Sequence, residues 1–251
     1  DDVFVNIKKL ETLFDNSQIV FFYDKSNDNT LSKLRSYQKK QLNIHIIINN
    51  EPLLEYRTYR IANGRNKLLK YVYTNYSDYD YFIMMDSDDV STKPLDINVV
   101  SKYLHRDDWD SLSFNRRNYY DIWALLYGPF KWDSWGFGDL SGNVVDIMRK
   151  DIIQKLNNLE EGKLFPCISA FNGFAIYRVN KFRNIFYDGK RSSYKISDKH
   201  KKQLINHFKN NGLKVGVSYD LPELCEHILF HINATKYNNA KIRVAKDYLF
   251  D

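Results

Sequence analysis

The apolar run Tyr81 to Met85 (YFIMM) ends directly in Asp86-Ser87-Asp88-Asp89. Side chains alternate along an extended segment, so Asp86 and Asp88 fall on one side and Ser87 on the other. Two carboxylates at that spacing suit a hard divalent cation, Mg²⁺ or Mn²⁺, bridging to a diphosphate. An acidic turn that only caps the next helix would carry the same letters. The apolar run feeding the cluster favours the ligand reading, because open α/β sheets bind ligands beyond the C-terminal ends of their strands. A second run, QIVFFY, ends at Asp24 and passes through a polar turn to Asp28. Asp24 could accept a hydrogen bond from the N–H of a base such as uracil, while Asp28 reads as a helix N-cap. A third segment, RIANGRNKLLKY, carries Arg60, Arg65 and Asn66 at helical spacing. Arg65 could neutralise a diphosphate or position the acidic pair, although a helix-surface arginine is commonly just solvated.

The elements that must hold these residues alternate. The spacing predicts helices over residues 3–14, 30–40 and 57–76, and short apolar strands over 18–23, 43–48 and 81–85. Alternation of that kind predicts a layered α/β fold with a mostly parallel central sheet. The second half is less regular. Strands are expected at 109–114, 122–127, 174–178 and 213–219, a helix at 144–156, and a Gly- and aromatic-rich loop at 128–142. The basic stretch 190–202 reads as a surface insertion. No repeat or low-complexity linker interrupts the chain, so a single domain over 1–251 is expected, divided near 106/107 into two halves.

With 251 residues, 43% hydrophobic and 16% aromatic, the chain is long and apolar enough for a sizeable core and does not read as disordered. No apolar run reaches the roughly 20 residues of a membrane span. The net charge of +6 is spread thinly, which argues against a nucleic-acid partner and for a general attraction to anionic ligands. Two cysteines outside any CxxC pair predict neither a disulfide framework nor a structural zinc site. A cytoplasmic location is expected. The abundance of Asn, Lys, Ile and Tyr points to an A/T-rich genome, viral or bacterial; in the viral case the location would be host cytoplasm.

Taken in order, DKSNDNT, GRNKLL and FIMMDSDD resemble the motifs of GT-A fold glycosyltransferases, above all those of glycosyltransferase family 2. NRRNYYDIWALLYG, SAFNGFAIYR and CEHILFH are similar to segments of capsule and polysaccharide glycosyltransferases. The resemblance spans roughly residues 3 to 235. It implies a Rossmann-like GT-A fold whose first strand lies before residue 1, with 1–106 binding a nucleotide-sugar and 107–251 the acceptor. It also implies a metal-dependent transfer of sugar from a nucleoside diphosphate, UDP favoured, to a hydroxyl during glycan or polysaccharide synthesis. Asp24 would hold the base, Arg65 the diphosphate side, Asp86 the ribose and metal, and Asp88 the metal. The Asn172-Gly173 turn would approach the transferred sugar or the acceptor. Glu226 would be the general base, with Asp133 and Asp139 as rivals. His227 or His231, spaced i, i+4, could complete the metal shell. Trp132 and Trp135 could stack on an acceptor sugar. One departure from the pattern is Leu126, where the similar proteins carry arginine.

Two other readings stay open at this stage. A sugar-phosphate nucleotidylyltransferase would share the core but should show a Gly-rich phosphate loop. A catalytically inactive GT-A-like domain would bind glycans without turning them over.

Overall fold

The computed structural model describes residues 1–213 and 221–250, with the side chains of 138–142 also outside the description. The first half follows the apolar pattern closely. It runs α1 (Asp2–Glu11), β1 (Ile19–Tyr23), α2 (Thr30–Lys40), β2 (Ile44–Ile48), α3 (Arg57–Asn75) and β3 (Tyr81–Met85). After it come α4 (Ile97–Leu104), β4 (Ser111–Asn115), α5 (Ser141–Asn157), β5 (Phe165–Pro166) and β6 (Phe174–Arg178). The chain continues with α6 (Val179–Phe182), α7 (Asp198–Asn210), α8 (Glu226–Asn238) and β7 (Ile242–Tyr248).

Several expectations for the second half are corrected. Residues 122–127 form no regular strand, only isolated bridges at Leu126 and Tyr127. The stretch 190–202 is not a plain surface insertion, because Arg191 is buried and the helix α7 begins at Asp198. The strand expected over 213–219 falls almost wholly outside the described residues.

The layered α/β fold is present, but its sheet is not mostly parallel. β1 and β2 pair in parallel as a two-stranded sheet. The larger sheet has the order β3-β6-β4-β7-β5, and only β4 and β7 are parallel there. β6 is the reason. It enters antiparallel between β3 and β4, which forces both neighbours to pair with a reversed strand. β7, the final strand, lies between β4 and β5 and is central despite its charged residues, with Ile242, Val244 and Ala245 buried.

β1 pairs with β2 alone and β3 with β6 alone among the described residues, and the two strands face each other across a slot. Helix α1 straddles it. Phe4 packs on Phe21 of β1 and Phe14 on Tyr81 of β3, while Asn6 bonds the backbone of Ser91, Lys93 and Leu95 beyond β3. Glu11, at the C-terminal end of α1, accepts from Ser17 Oγ and Asn43 Nδ2 just ahead of β1 and β2, so α1 runs antiparallel to β1 as well as to β3 and the two strands are parallel to each other. On the opposite side α3 lines the slot with Ile61, Leu68 and Val72. The continuous apolar runs predict strands buried on both faces, yet Ile19, Val20, Phe22, Ile83 and Met85 are only half-buried. The slot accounts for that difference.

Candidate active site

At the C-terminal ends of β1 and β3 the slot widens into a cleft; slot and cleft together enclose about 1980 Å³. Asp24, Arg65, Asp86, Asp88, Tyr120, Asp121, Trp123, Trp135, Phe171, Glu226 and His227 all line it. Residues from seven separate stretches of sequence therefore meet where an open α/β sheet ordinarily binds its ligand.

Arg65 is the keystone. It projects from α3, where Gly64 lets the helix lie against β1; a Cβ there would fall 2.6 Å from Phe22. Arg65 Nη1 donates to Glu226 Oε1 at 2.5 Å and Nη2 to Asp86 Oδ1 at 2.8 Å. Its guanidinium lies over the ring of Phe171, 4.6 Å from the centroid. Burial opposes its charge, but Glu226 and Asp86 outweigh that, and the arginine is held above its ordinary value.

Asp86 and Asp88 follow directly on the end of β3, and both line the cleft. The Asp86 N–H donates to the Gly173 carbonyl, which locks the strand end to the 172–173 turn. Burial pushes the Asp86 carboxyl up; Arg65 acts against this, and Asp88 and Glu226 add to it. Asp88 is exposed and accepts the Val90 N–H, capping the short 3-10 turn Asp89–Ser91. Asp24 Oδ1 accepts from the Lys25 N–H and Asn49 Nδ2, while Asp28 binds the Thr30 N–H at the start of α2.

Glu226 opens α8, and a helix N-terminus is a favourable place for a carboxylate. His227 stacks on Phe171 at 3.9 Å, and its Nε2 contacts Arg65 Nη1. Burial, then Arg65 and His231, depress its pKa well below the ordinary value, so the ring is neutral. Nδ1 of His227 is buried without a hydrogen-bond partner.

Other sequence expectations are corrected by this geometry. His231 shares a helix face with His227 but points into the core, bonded to Ser169 Oγ and Tyr177 Oη. It does not line the cleft and is no metal ligand in this arrangement. Among the described residues no three His, Cys, Asp or Glu side chains are gathered to cage an ion. Asp86 and Asp88 remain as oxygen donors at the cleft. Trp132 is fully buried and stacked on Tyr194, so it is a core residue and not an acceptor platform. Trp135, three residues on, does line the cleft, 6.5 Å from Trp123. Asp133 is bound by both Arg191 Nη atoms, at 2.7 and 2.8 Å, and is buried with it, which removes it as a base. The Asp139 side chain lies outside the described residues.

The Asn172-Gly173 turn positions the site without opening onto it. Both residues have left-handed φ, 58° and 83°. Asn172 Nδ2 donates to Phe114 O and its Oδ1 accepts the Asp121 N–H, so the side chain ties β4 to the segment after it. A Cβ on Gly173 would meet Val90 at 2.7 Å and Arg116 at 3.3 Å, so the glycine leaves room for those side chains and not for a ligand.

Two residues escape the sequence reading. Arg116 donates to Asn172 O and Val90 O while its Nη2 is buried without a partner, and its charge acts on Asp86 and Asp88. Asp121 is buried in the cleft wall; burial, with Asp86 and Glu226 nearby, lifts its pKa to about 7. The runs NRR and YYD carried the signal, since a charged residue bracketed by aromatics is a candidate for burial.

No helix among the described residues is long and apolar enough to cross a membrane. A search of curated proteins finds no match to the chain. The sequence profile described as Glycosyl transferase family 2 matches residues 5–186, a span that contains α1 through β6 and with them Asp24, Arg65, Asp86, Asp88 and Asp121. With more than half of its length matched and its acids collected at the strand ends, the chain belongs to glycosyl transferase family 2 and is a glycosyltransferase of the GT-A fold.

Proposed function

We propose that the chain moves a sugar from a nucleoside diphosphate, UDP above others, to an acceptor hydroxyl in glycan or polysaccharide synthesis, with a divalent cation bound at Asp86 and Asp88. The observation that carries this reading is the charge in the cleft. Four carboxylates, from Asp86, Asp88, Asp121 and Glu226, converge there; Arg65 is bonded to two of them, Arg116 acts on Asp86 and Asp88 from behind Gly173, and Arg57 and Arg60 also line the cleft, where a diphosphate would need cations. Hard oxygen donors of this kind fit Mg²⁺ or Mn²⁺, which keep several water and phosphate ligands and need only one or two carboxylates from the protein. Such an ion, when bound, offsets the charge that grows on the departing diphosphate.

The side chains divide the remaining work. Asp24 Oδ2, which accepts no bond among the described residues, is available to a base N–H. Arg65 fixes Asp86 and Glu226 relative to each other. Trp123 and Trp135 supply aromatic faces for an acceptor sugar. In this reading residues 1–106 serve the donor and 107–251 the acceptor, as halves of one domain.

A thermal-shift panel of UDP-, GDP-, CMP- and dTDP-sugars, with and without Mn²⁺, tests the reading. A donor that raises the melting temperature only with metal, and not in Asp88→Ala, is the expected result. Equal shifts in wild type and variant would remove Asp88 from the metal site, and no shift with any donor would remove the donor-binding reading.

A further inference from the structure

Asp121 stands in the cleft wall between Tyr120 and Trp123, on the segment that leaves β4. Its backbone N–H is held by Asn172 Oδ1 at 3.0 Å, and its Oδ1 accepts the Ala124 N–H at 3.2 Å. Its Oδ2 accepts no hydrogen bond among the described residues. A buried carboxylate is thus fixed at one oxygen and unclaimed at the other, beside the two half-buried tryptophans of the cleft. Glu226 is placed differently. Its Oε1 is the counter-ion of buried Arg65, and its Oε2 receives only a long contact from the Cys225 thiol. To turn into the cleft, Glu226 would surrender a charge-assisted hydrogen bond that also organises Asp86.

We propose that Asp121, and not Glu226, is the group that takes the proton from the acceptor hydroxyl. This inference rests on the glycosyl-transfer reading above and deepens it. The acceptor sugar lies against Trp123 and Trp135 and presents a hydroxyl to Asp121 Oδ2. The O–H bond breaks and its proton passes to Oδ2. The acceptor oxygen forms the new bond to the anomeric carbon. The bond from that carbon to the diphosphate oxygen breaks, and its electron pair leaves with the nucleoside diphosphate. The displacement is direct and inverts the anomeric centre. Glu226 is a positioning residue, holding Arg65 and through it Asp86.

The charged and titratable groups around Asp121 are Asp86 at the end of β3, Arg65 from α3, Cys225 and Glu226 at the start of α8, and Tyr119 and Tyr120 on its own segment. Burial and the two carboxylates raise its pKa to about 7, with Arg65 and the Ala124 N–H opposing. A group in that range is suited to accept a proton near neutral pH.

The test compares wild type, Asp121→Asn and Glu226→Gln for donor binding, transfer rate and the pH dependence of kcat/KM. Asparagine keeps an oxygen for the Ala124 N–H, so the fold is retained. The expected result is a wild-type profile that rises through about pH 7, and an Asp121→Asn enzyme that binds donor normally. Its transfer should be slowed by about 100-fold or more, with the rising limb gone. Glu226→Gln should keep the limb and weaken donor binding. A loss below about tenfold in Asp121→Asn, or a limb that disappears in Glu226→Gln instead, overturns the assignment while leaving glycosyl transfer intact. Failure of wild type to bind any nucleotide-sugar overturns the parent reading instead.

Discussion

Converting Asp121 to asparagine should stabilise the protein, and by an amount that depends on pH. In the folded chain the Asp121 carboxyl titrates near 7; in an unfolded chain it would titrate near ~3.9. Between those values the native state keeps a proton that the unfolded state has released. Stability therefore falls as pH rises through that window, and the penalty is complete above about pH 7. Asparagine carries no such proton. Linkage across the two pKa values makes the variant gain on wild type by about 2.6 kcal/mol between pH 5 and pH 8. For a chain of this size that is a difference of about 5–10 °C in melting temperature. Relief of Asp86, which also feels the Asp121 charge, adds in the same direction. Calorimetric or urea melts of both proteins at pH 5, 6, 7 and 8, with chelator present, measure the gap. A gap that stays constant across the series, or narrows toward pH 8, refutes the argument that burial and neighbouring acids raise this group.

Arg65→Ala should cost about 3–5 kcal/mol in urea unfolding, because Glu226 and Asp86 would remain as buried or half-buried carboxylates without a cation; a loss below about 1 kcal/mol would mean solvent already screens them. Trp132→Ala should lose about 3–5 kcal/mol of stability, its ring being fully buried on Tyr194. Trp135→Ala should instead raise the acceptor KM with a far smaller change in melting, and the reverse pattern would exchange their roles.

Much of the first half was legible because local chemistry decides it. A continuous apolar run that stops at DSD can only present its acids at a strand end, and α2 and β3 occupy the residues read for them. The second half depends on contacts distant in sequence. Trp132 and Trp135 share one loop and one residue type, and only the stacking of Tyr194 separates core from cleft. Asp133 looked like a candidate base until Arg191, 58 positions away, closed on it. Asp121 is buried because Asn172, 51 positions away, holds its backbone. β7 escaped because Arg243, Lys246 and Asp247 interrupt its apolar residues, although its position between β4 and β5 makes it part of the sheet's centre.

The missing hydrogen-bond ladder between β1 and β3 divides the cleft's stability as well as its architecture. Asp24 belongs to the β1–α2–β2 lobe, which among the described residues is joined to the larger sheet through side-chain packing from α1 and α3 and not through strand pairing. Elements of that kind open as cooperative units at lower free energy than the rest of a molecule. A donor grasped by Asp24 on one lobe and by Asp86 on the other would act as a staple between two foldons. Its binding energy would then appear first as slowed amide exchange in β1 and β2, ahead of any change in the sheet built on β4 and β7.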